Sequence, residues 1–136
     1  MNDNENDFHY KWKRGHLIGK GAFGSVYQAM LSTGAIIAVK QIEMEESDPN
    51  KARKAYDSVR EEVKILRELD HINTVQFMGT MLEGSIVNIF MELIPGGTIE
   101  SLLKTYGAFE EDLFRNFTTQ IIEGISYLHS KNVVHR

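Results

Sequence analysis

The sequence predicts an α+β fold, in which an antiparallel five-stranded sheet with one helix precedes a helical segment. Five short runs, rich in β-branched and apolar residues and separated by turn signals, lie before residue 95. One helical pattern interrupts them after Asp48-Pro49, where Asp is a preferred N-cap and Pro is favoured at the first helical position. The break at Pro95-Gly96-Gly97 then separates the strands from two further helical patterns.

The first three strands are predicted to form a meander. The first ends at residues 16–18, the second spans residues 25–31, and the third spans residues 35–42 after the turn signal Ser32-Thr33-Gly34. Because such short connections cannot hold a crossover helix, neighbouring strands must run antiparallel. Residues 75–81 and 86–93 are predicted to form two further strands.

Three helices are predicted, over residues 48–69, 98–104 and 110–129. In the first, the apolar positions at helical spacing form the expected buried stripe: Ala55, Val59, Leu66 and Leu69. The long third helix begins with acidic residues, which the helix dipole favours there. Its apolar stripe consists of Phe114, Phe117, Ile121, Ile125 and Leu128.

The composition excludes several classes of function. With 136 residues, 42% of them hydrophobic and 25% charged, the chain has the size and composition of one ordinary globular domain. A net charge of −4 argues against general nucleic-acid binding, and the absence of cysteine excludes disulfides and thiolate metal sites. No apolar run approaches membrane-spanning length, so we expect no membrane association and a cytoplasmic protein. Residues 1–10 are interpreted as an acidic polar tail.

The first candidate site is the glycine-rich run Gly19-x-Gly21-x-x-Gly24-x-Val26. A dinucleotide-binding fingerprint opens a helix, whereas this run opens a strand, and the Gly-Lys-Ser/Thr of a Walker loop is missing. Two interpretations remain, a purely structural hairpin and a hairpin whose glycines let backbone amides approach phosphates.

The second candidate is Lys40, which ends the apolar run Ala38-Val39-Lys40. A buried ammonium group needs a partner, and the alternative is a lysine on an edge strand that points to water. Glu62 lies three residues after Val59, on the predicted buried stripe, and a carboxylate there should be paired. We therefore expect an internal Lys40–Glu62 ion pair that orients the lysine toward phosphate.

Taken in order, these features resemble the signature set of the protein kinases. Six features match that set in order. They are the glycine run, the A-V-K lysine, the helix glutamate, the strand end Met91-Glu92-Leu93-Ile94 before the break, the long helix and a final His135-Arg136. In the residues around these motifs, the chain is similar to the MEKK-like branch, the mitogen-activated protein kinase kinase kinases. The resemblance implies a kinase small lobe over residues 11–94. Residues 95–136 would be the hinge and the start of the large lobe, truncated within the H-R-D motif.

The resemblance also implies a role for individual residues. The glycines cover the ATP phosphates, Lys40 contacts the α- and β-phosphates, and Met91 is the gatekeeper behind the adenine. Lys40, Glu62 and Arg136 are the implied catalytic residues, Arg136 by linking the catalytic loop to an activation-loop phosphate. The residues implied to bind the nucleotide are Ile18, Gly19, Lys20, Gly21, Ala22, Phe23, Gly24, Ser25, Val26, Ala38, Lys40, Met91, Glu92, Ile94 and Thr98.

The implied activity is that of a serine/threonine protein kinase that uses ATP and Mg²⁺, with a protein substrate such as a MAP kinase kinase. The family's metal ligands follow the H-R-D motif, so no metal-binding residue is assigned. In the family the rest of the large lobe wraps the long helix, so we expect its apolar stripe to be exposed here. Two alternatives stay open, a non-catalytic kinase-like fragment and a pseudokinase, each acting as a binding module.

We expect the chain of 136 residues to be inactive by itself, because Arg136 precedes the aspartate that accepts the substrate hydroxyl proton in kinases. The measurement is transfer of radiolabel from ATP to a generic acceptor protein in the presence of Mg²⁺. Phosphorylation of the acceptor by chain free of other kinases would contradict this expectation.

Overall fold

The computed structural model describes residues 8–22, 24–44 and 48–135, which fall into two compact units. The first unit extends to Glu68 and resumes over Gln76–Leu93. The second unit combines Leu69–Val75 with the chain from Ile94 onward. Residues 69–75, which the sequence placed in the small lobe, thus group with the second unit.

The first unit is built on one antiparallel sheet, as predicted. Its strands follow the order β1-β2-β3-β5-β4, and every neighbouring pair is antiparallel. The strands are β1 (Trp12–Gly21), β2 (Gly24–Leu31), β3 (Ile36–Glu43), β4 (Phe77–Glu83) and β5 (Ile86–Glu92). Strand β3 therefore lies in the middle of the sheet, and β1 and β4 are its edges.

The helix α1 (Pro49–Arg67) packs on one face of this sheet, which we call the helix face. Tyr56 and Val63 are its buried residues, and they pack with Val87 and Ile89 of β5. The start of α1 is as predicted, because the Asp48 carboxylate accepts a hydrogen bond of 2.9 Å from the Asn50 N–H. The helix ends two residues earlier than the predicted boundary.

The opposite face of the sheet, which we call the open face, carries a second apolar cluster. Leu31, Val39 and Phe90 contribute to it from three different strands, and Phe8 covers it. The Phe8 ring stacks on Phe90 with centroids 3.7 Å apart, and Trp12 meets the same ring edge-on. Phe8, assigned to the polar tail from the sequence, is only 2% exposed, while residues 1–7 of that tail lie outside the described residues.

The second unit contains α2 (Ile99–Tyr106) and α3 (Glu111–Ser130). Gly96 and Gly97 have φ values of 94° and 78°, which explains why glycine occupies the break before α2. Thr98 then caps α2 in a reciprocal capping box with Ser101. Two of the predicted helices are thus confirmed here, each with its boundaries shifted by one or two residues.

Residues 69–75 are held against α3 by specific contacts. The Tyr127 hydroxyl accepts a hydrogen bond of 2.9 Å from the Asp70 N–H, and the Tyr127 ring stacks on His71. A Cβ atom on Gly124 would lie 2.7 Å from the Asn73 carbonyl oxygen, so only glycine allows this approach.

The apolar stripe of α3 is largely exposed, as predicted. Phe114 is 62% exposed, Ile121 and Ile125 are also exposed, and Phe117 is half-buried against Phe109. Within the described part of the chain, no helix is long and apolar enough to cross a bilayer.

Replacing Phe8 by alanine tests whether the segment before β1 belongs to the folded core. We expect Phe8→Ala to lower the free energy of unfolding by about 3 kcal/mol, since it removes a buried ring and leaves a cavity above Phe90. Tyr10→Ala is the matched control, because Tyr10 is 51% exposed and should cost far less. Denaturant titration measures both changes, and equal stability of the two variants would exclude a core role for Phe8.

Candidate functional site

The glycine-rich run forms the hairpin between β1 and β2. Gly21 and Gly24 face each other across its end, and Gly19 pairs with Val26. At Gly24 φ is +152°, and a Cβ atom there would lie 2.5 Å from the carbonyl oxygen of Gln41 in β3. The last glycine therefore lets the hairpin end pack directly on the backbone of the lysine strand. Apart from its two chain neighbours, no described residue has an atom within 4 Å of the position a Cβ would take on Gly19, which leaves room there for a ligand.

Lys40 lies beside this hairpin on the helix face. It pairs with Val26 on one side and with Ile89 on the other, and Ala38 pairs with Met91. Since directly paired residues of antiparallel strands point to the same face, Val26, Ala38, Lys40 and Met91 share one surface. The fold thus brings together four residues that the sequence separates by as many as 65 positions.

The surface around Lys40 combines one cation with apolar walls. Ala38 is buried, whereas Val26, Lys40 and Met91 are half-buried. Ser25 is half-buried as well, while Ile18, Lys20 and Ala22 are exposed along the hairpin. Phe23 lies outside the described residues. Because Lys40 is in a central strand, the alternative of an edge-strand lysine is excluded.

The predicted burial of Glu62 is wrong. Glu62 is exposed, and the buried positions of α1 are Tyr56 and Val63 instead. The helix is rotated relative to the predicted stripe, and Glu62 lies one position before Val63, about 100° around the helix from it. Among the described residues no ion pair joins Lys40 to Glu62. The role of Glu62 as the partner of Lys40 therefore stays a prediction.

The remaining predicted site residues lie at or after the end of β5. The Glu92 N–H donates a hydrogen bond of 2.9 Å to the carbonyl oxygen of Gln76. Ile94 and Thr98 belong to the second unit, where Ile94 is exposed and the Thr98 hydroxyl accepts from the Ser101 N–H. Arg136 lies outside the described residues. Within the described ranges, no three His, Asp or Glu side chains gather as they would around a metal ion.

Two polar residues that the sequence analysis did not single out lie within the sheet. Asn88 of β5 is completely buried, and Gln41 of β3 is half-buried next to Lys40. The Gln41 side-chain amide nitrogen donates a hydrogen bond of 2.8 Å to the side-chain oxygen Oδ1 of Asn88. The sequence contained a signal for this contact, because each of the two apolar strands includes one side-chain amide. A buried amide needs a hydrogen-bond partner.

The comparison with known sequences agrees with this geometry. Residues 12–136 match the family model of the protein kinase domain. Mitogen-activated protein kinase kinase kinase 19 of Homo sapiens is 44% identical over 125 residues, which are 92% of this chain and 9% of that protein. Mitogen-activated protein kinase kinase kinase 2 of Arabidopsis thaliana is 42% identical over 129 residues, which are 93% of this chain and 20% of that protein. The chain thus spans only a small part of these relatives.

A solved structure supports the same assignment. The crystal structure of Rad53 in complex with AMP-PNP superposes with a TM-score of 0.77 at 29% sequence identity. The superposition covers 93% of this chain and 32% of that one. With the glycine hairpin, the lysine strand and the family match in agreement, the chain belongs to the protein kinase family.

Proposed function

We propose that this chain is the ATP-binding part of a serine/threonine protein kinase. The kinase transfers the γ-phosphate of ATP to a protein hydroxyl. The observation that carries the proposal is the position of Lys40. It lies in β3, paired with Val26 in the second strand of the glycine hairpin, and on the same face of the sheet as Ala38 and Met91. Relatives named as kinases of mitogen-activated cascades support the assignment to that type of pathway.

The hairpin and Lys40 are suited to a triphosphate. Open backbone at Gly19 would let a phosphate oxygen approach a backbone amide closely, and backbone N–H groups at a tight turn favour anions. Lys40 is half-buried, and a cation partly shielded from water attracts phosphate more strongly than one in bulk water. Together they would bind the charged end of the nucleotide.

The apolar residues on the same face are suited to a flat heteroaromatic base. Ala38 leaves room because its side chain is small, and its partner in β5, Met91, supplies apolar surface beside it. On the β2 side Ala38 pairs with Gln28, and Val26 adds apolar surface next to Lys40. Since the Glu92 N–H is bonded to Gln76, the Glu92 carbonyl oxygen is the group we assign to the base. Ile94 would contribute its backbone and Thr98 would lie near the ribose, as the resemblance implies.

Mg²⁺ would accompany ATP and neutralise its phosphate oxygens. We assign no metal ligand to the described residues, which hold no suitable group of carboxylates. The proposed substrate is a protein, a MAP kinase kinase by analogy with the named relatives, and a cytoplasmic location stays a prediction. One observation favours a second function, because the exposed apolar face of α3 would also suit a non-catalytic binding module.

Replacing Lys40 by methionine tests the proposal. Hydrogen bonds to charged groups contribute about 1.5–3 kcal/mol, so we expect Lys40→Met to weaken ATP binding roughly tenfold or more. Adenosine, which lacks phosphates, should bind the variant and the parent chain equally. Isothermal titration with both ligands measures the difference.

Lys13→Met is the matched control, because it removes the same charge from an exposed position of β1. We expect this variant to bind ATP like the parent chain. Unchanged ATP affinity in Lys40→Met would overturn the assignment of Lys40, and no ATP binding by the parent chain would overturn the proposed function.

A further inference from the structure

Four polar side chains form a continuous hydrogen-bonded network across the open face of the sheet. The Arg14 guanidinium donates to the Gln41 side-chain oxygen at 3.0 Å, and the Gln41 amide donates to the Asn88 oxygen at 2.8 Å. The Asn88 amide then donates a longer bond of 3.4 Å to the Glu83 carboxylate. We call these four residues the cross-sheet network. They come from β1, β3, β5 and β4 in turn.

The remaining strand, β2, joins the network through an aromatic ring. The Arg14 guanidinium lies over the Tyr27 ring, 4.4 Å from its centroid, in a cation–π contact. Every strand of the sheet therefore contributes one side chain.

The direction of the hydrogen bonds follows from the ends of the network. A guanidinium only donates and a carboxylate only accepts, so both amides between them must present oxygen toward Arg14 and nitrogen toward Glu83. Asn88 is completely buried, and each end of its amide is bonded. Since an unpaired buried amide is costly, the network has one favoured arrangement and specifies how the strands lie relative to one another.

Gln41 connects this network to the candidate site. It follows Lys40 in β3, so the two side chains point to opposite faces of the sheet. Its backbone pairs with Ser25, and its carbonyl oxygen is the atom on which Gly24 packs. One residue therefore supports the end of the glycine hairpin through its backbone and anchors the network through its side chain.

Arg14 is placed where the hairpin needs additional support. The regular pairing of β1 with β2 is interrupted after Arg14 and Ala29, with register irregularities between Arg14 and Leu17 and between Leu17 and Gly19, and it resumes at Gly19. An irregular ladder has unpaired backbone groups and constrains the strand less. The Arg14 side chain reaches across β2 to β3 at this point, so it restrains β1 where the backbone pairing is weakest.

We propose that Arg14, Gln41 and Asn88 are positioning residues that hold the glycine hairpin in place beside Lys40 and thereby set the affinity for the triphosphate. The proposal rests on the proposed function. It assigns to the network a part of the preference for ATP over adenosine, acting through the hairpin that lies beside Lys40. Because the network lies on the opposite face from Lys40, none of its members needs to touch the nucleotide.

The first test is Gln41→Leu, which removes both hydrogen bonds at similar size and without a change in charge. We expect the Kd for ATP to rise about fivefold, as for other coupled contacts, while the Kd for adenosine stays within about twofold. Isothermal titration of the parent chain and the variant measures both constants. If the network served only stability, its loss would raise the Kd for ATP and the Kd for adenosine by the same factor.

The second test uses exposed positions, so that unfolding cannot decide the result. Arg14→Gln and Lys13→Gln each remove one positive charge from neighbouring exposed positions of β1. We expect only Arg14→Gln to reduce the preference for ATP. The double variant Arg14→Gln with Gln41→Leu should be no weaker than Gln41→Leu alone, because both changes interrupt the same network.

Three results would overturn the positioning role. They are an unchanged ATP preference in both Gln41→Leu and Arg14→Gln, an equal loss of ATP and adenosine affinity, and an equal effect of Arg14→Gln and Lys13→Gln. Failure of the proposed function is distinguishable, because it would appear as absent ATP binding in the parent chain before any substitution is made.

Discussion

The pairing of β3 with β2 and β5 is the constraint on which the first unit depends. Strand β3 is central, and its alternation sends Ala38 and Lys40 to the helix face and Val39 and Gln41 to the open face. A slip of one residue would exchange the two sets, burying the ammonium under Phe8 and exposing Val39. The register therefore determines both the apolar core and the position of the cation.

The two faces of the sheet contribute differently to function. On the helix face, Lys40 and its apolar neighbours provide the surface that we assign to the nucleotide. On the open face, the aromatic cluster around Phe90 and the cross-sheet network hold the strands together. A ligand surface built on rigid strands needs such support, because the energy of a phosphate contact depends on the position of its donors. The surface that we assign to the nucleotide and the cross-sheet network thus lie on opposite sides of the same five strands, and both faces carry an apolar cluster.

The second unit shows a similar reliance on close contacts between segments distant in sequence. Gly124 and Tyr127 of α3 hold residues 69–75, whereas much of the apolar stripe of α3 remains exposed. Exposed apolar side chains along one face of a helix favour contact with another protein surface. The named relatives are much longer than this chain, which spans 9% of one and 20% of another.

The local features of this protein can be predicted from residues that are close together in the chain. Neighbouring residues in the chain set three kinds of signal: strand alternation, the Asp48-Pro49 helix start and the glycines at turns. For this reason the strands, the helices and the glycine hairpin were predictable, with small errors at their ends. Which residues meet across the sheet depends on the packing of the folded chain and could not be predicted in this way. The rotation of α1 that leaves Glu62 exposed, the burial of Phe8 and the Arg14–Gln41–Asn88 contacts all depend on packing between segments distant in sequence. Helical spacing defines a stripe but not which part of it faces the sheet, because the partner surface sets that angle.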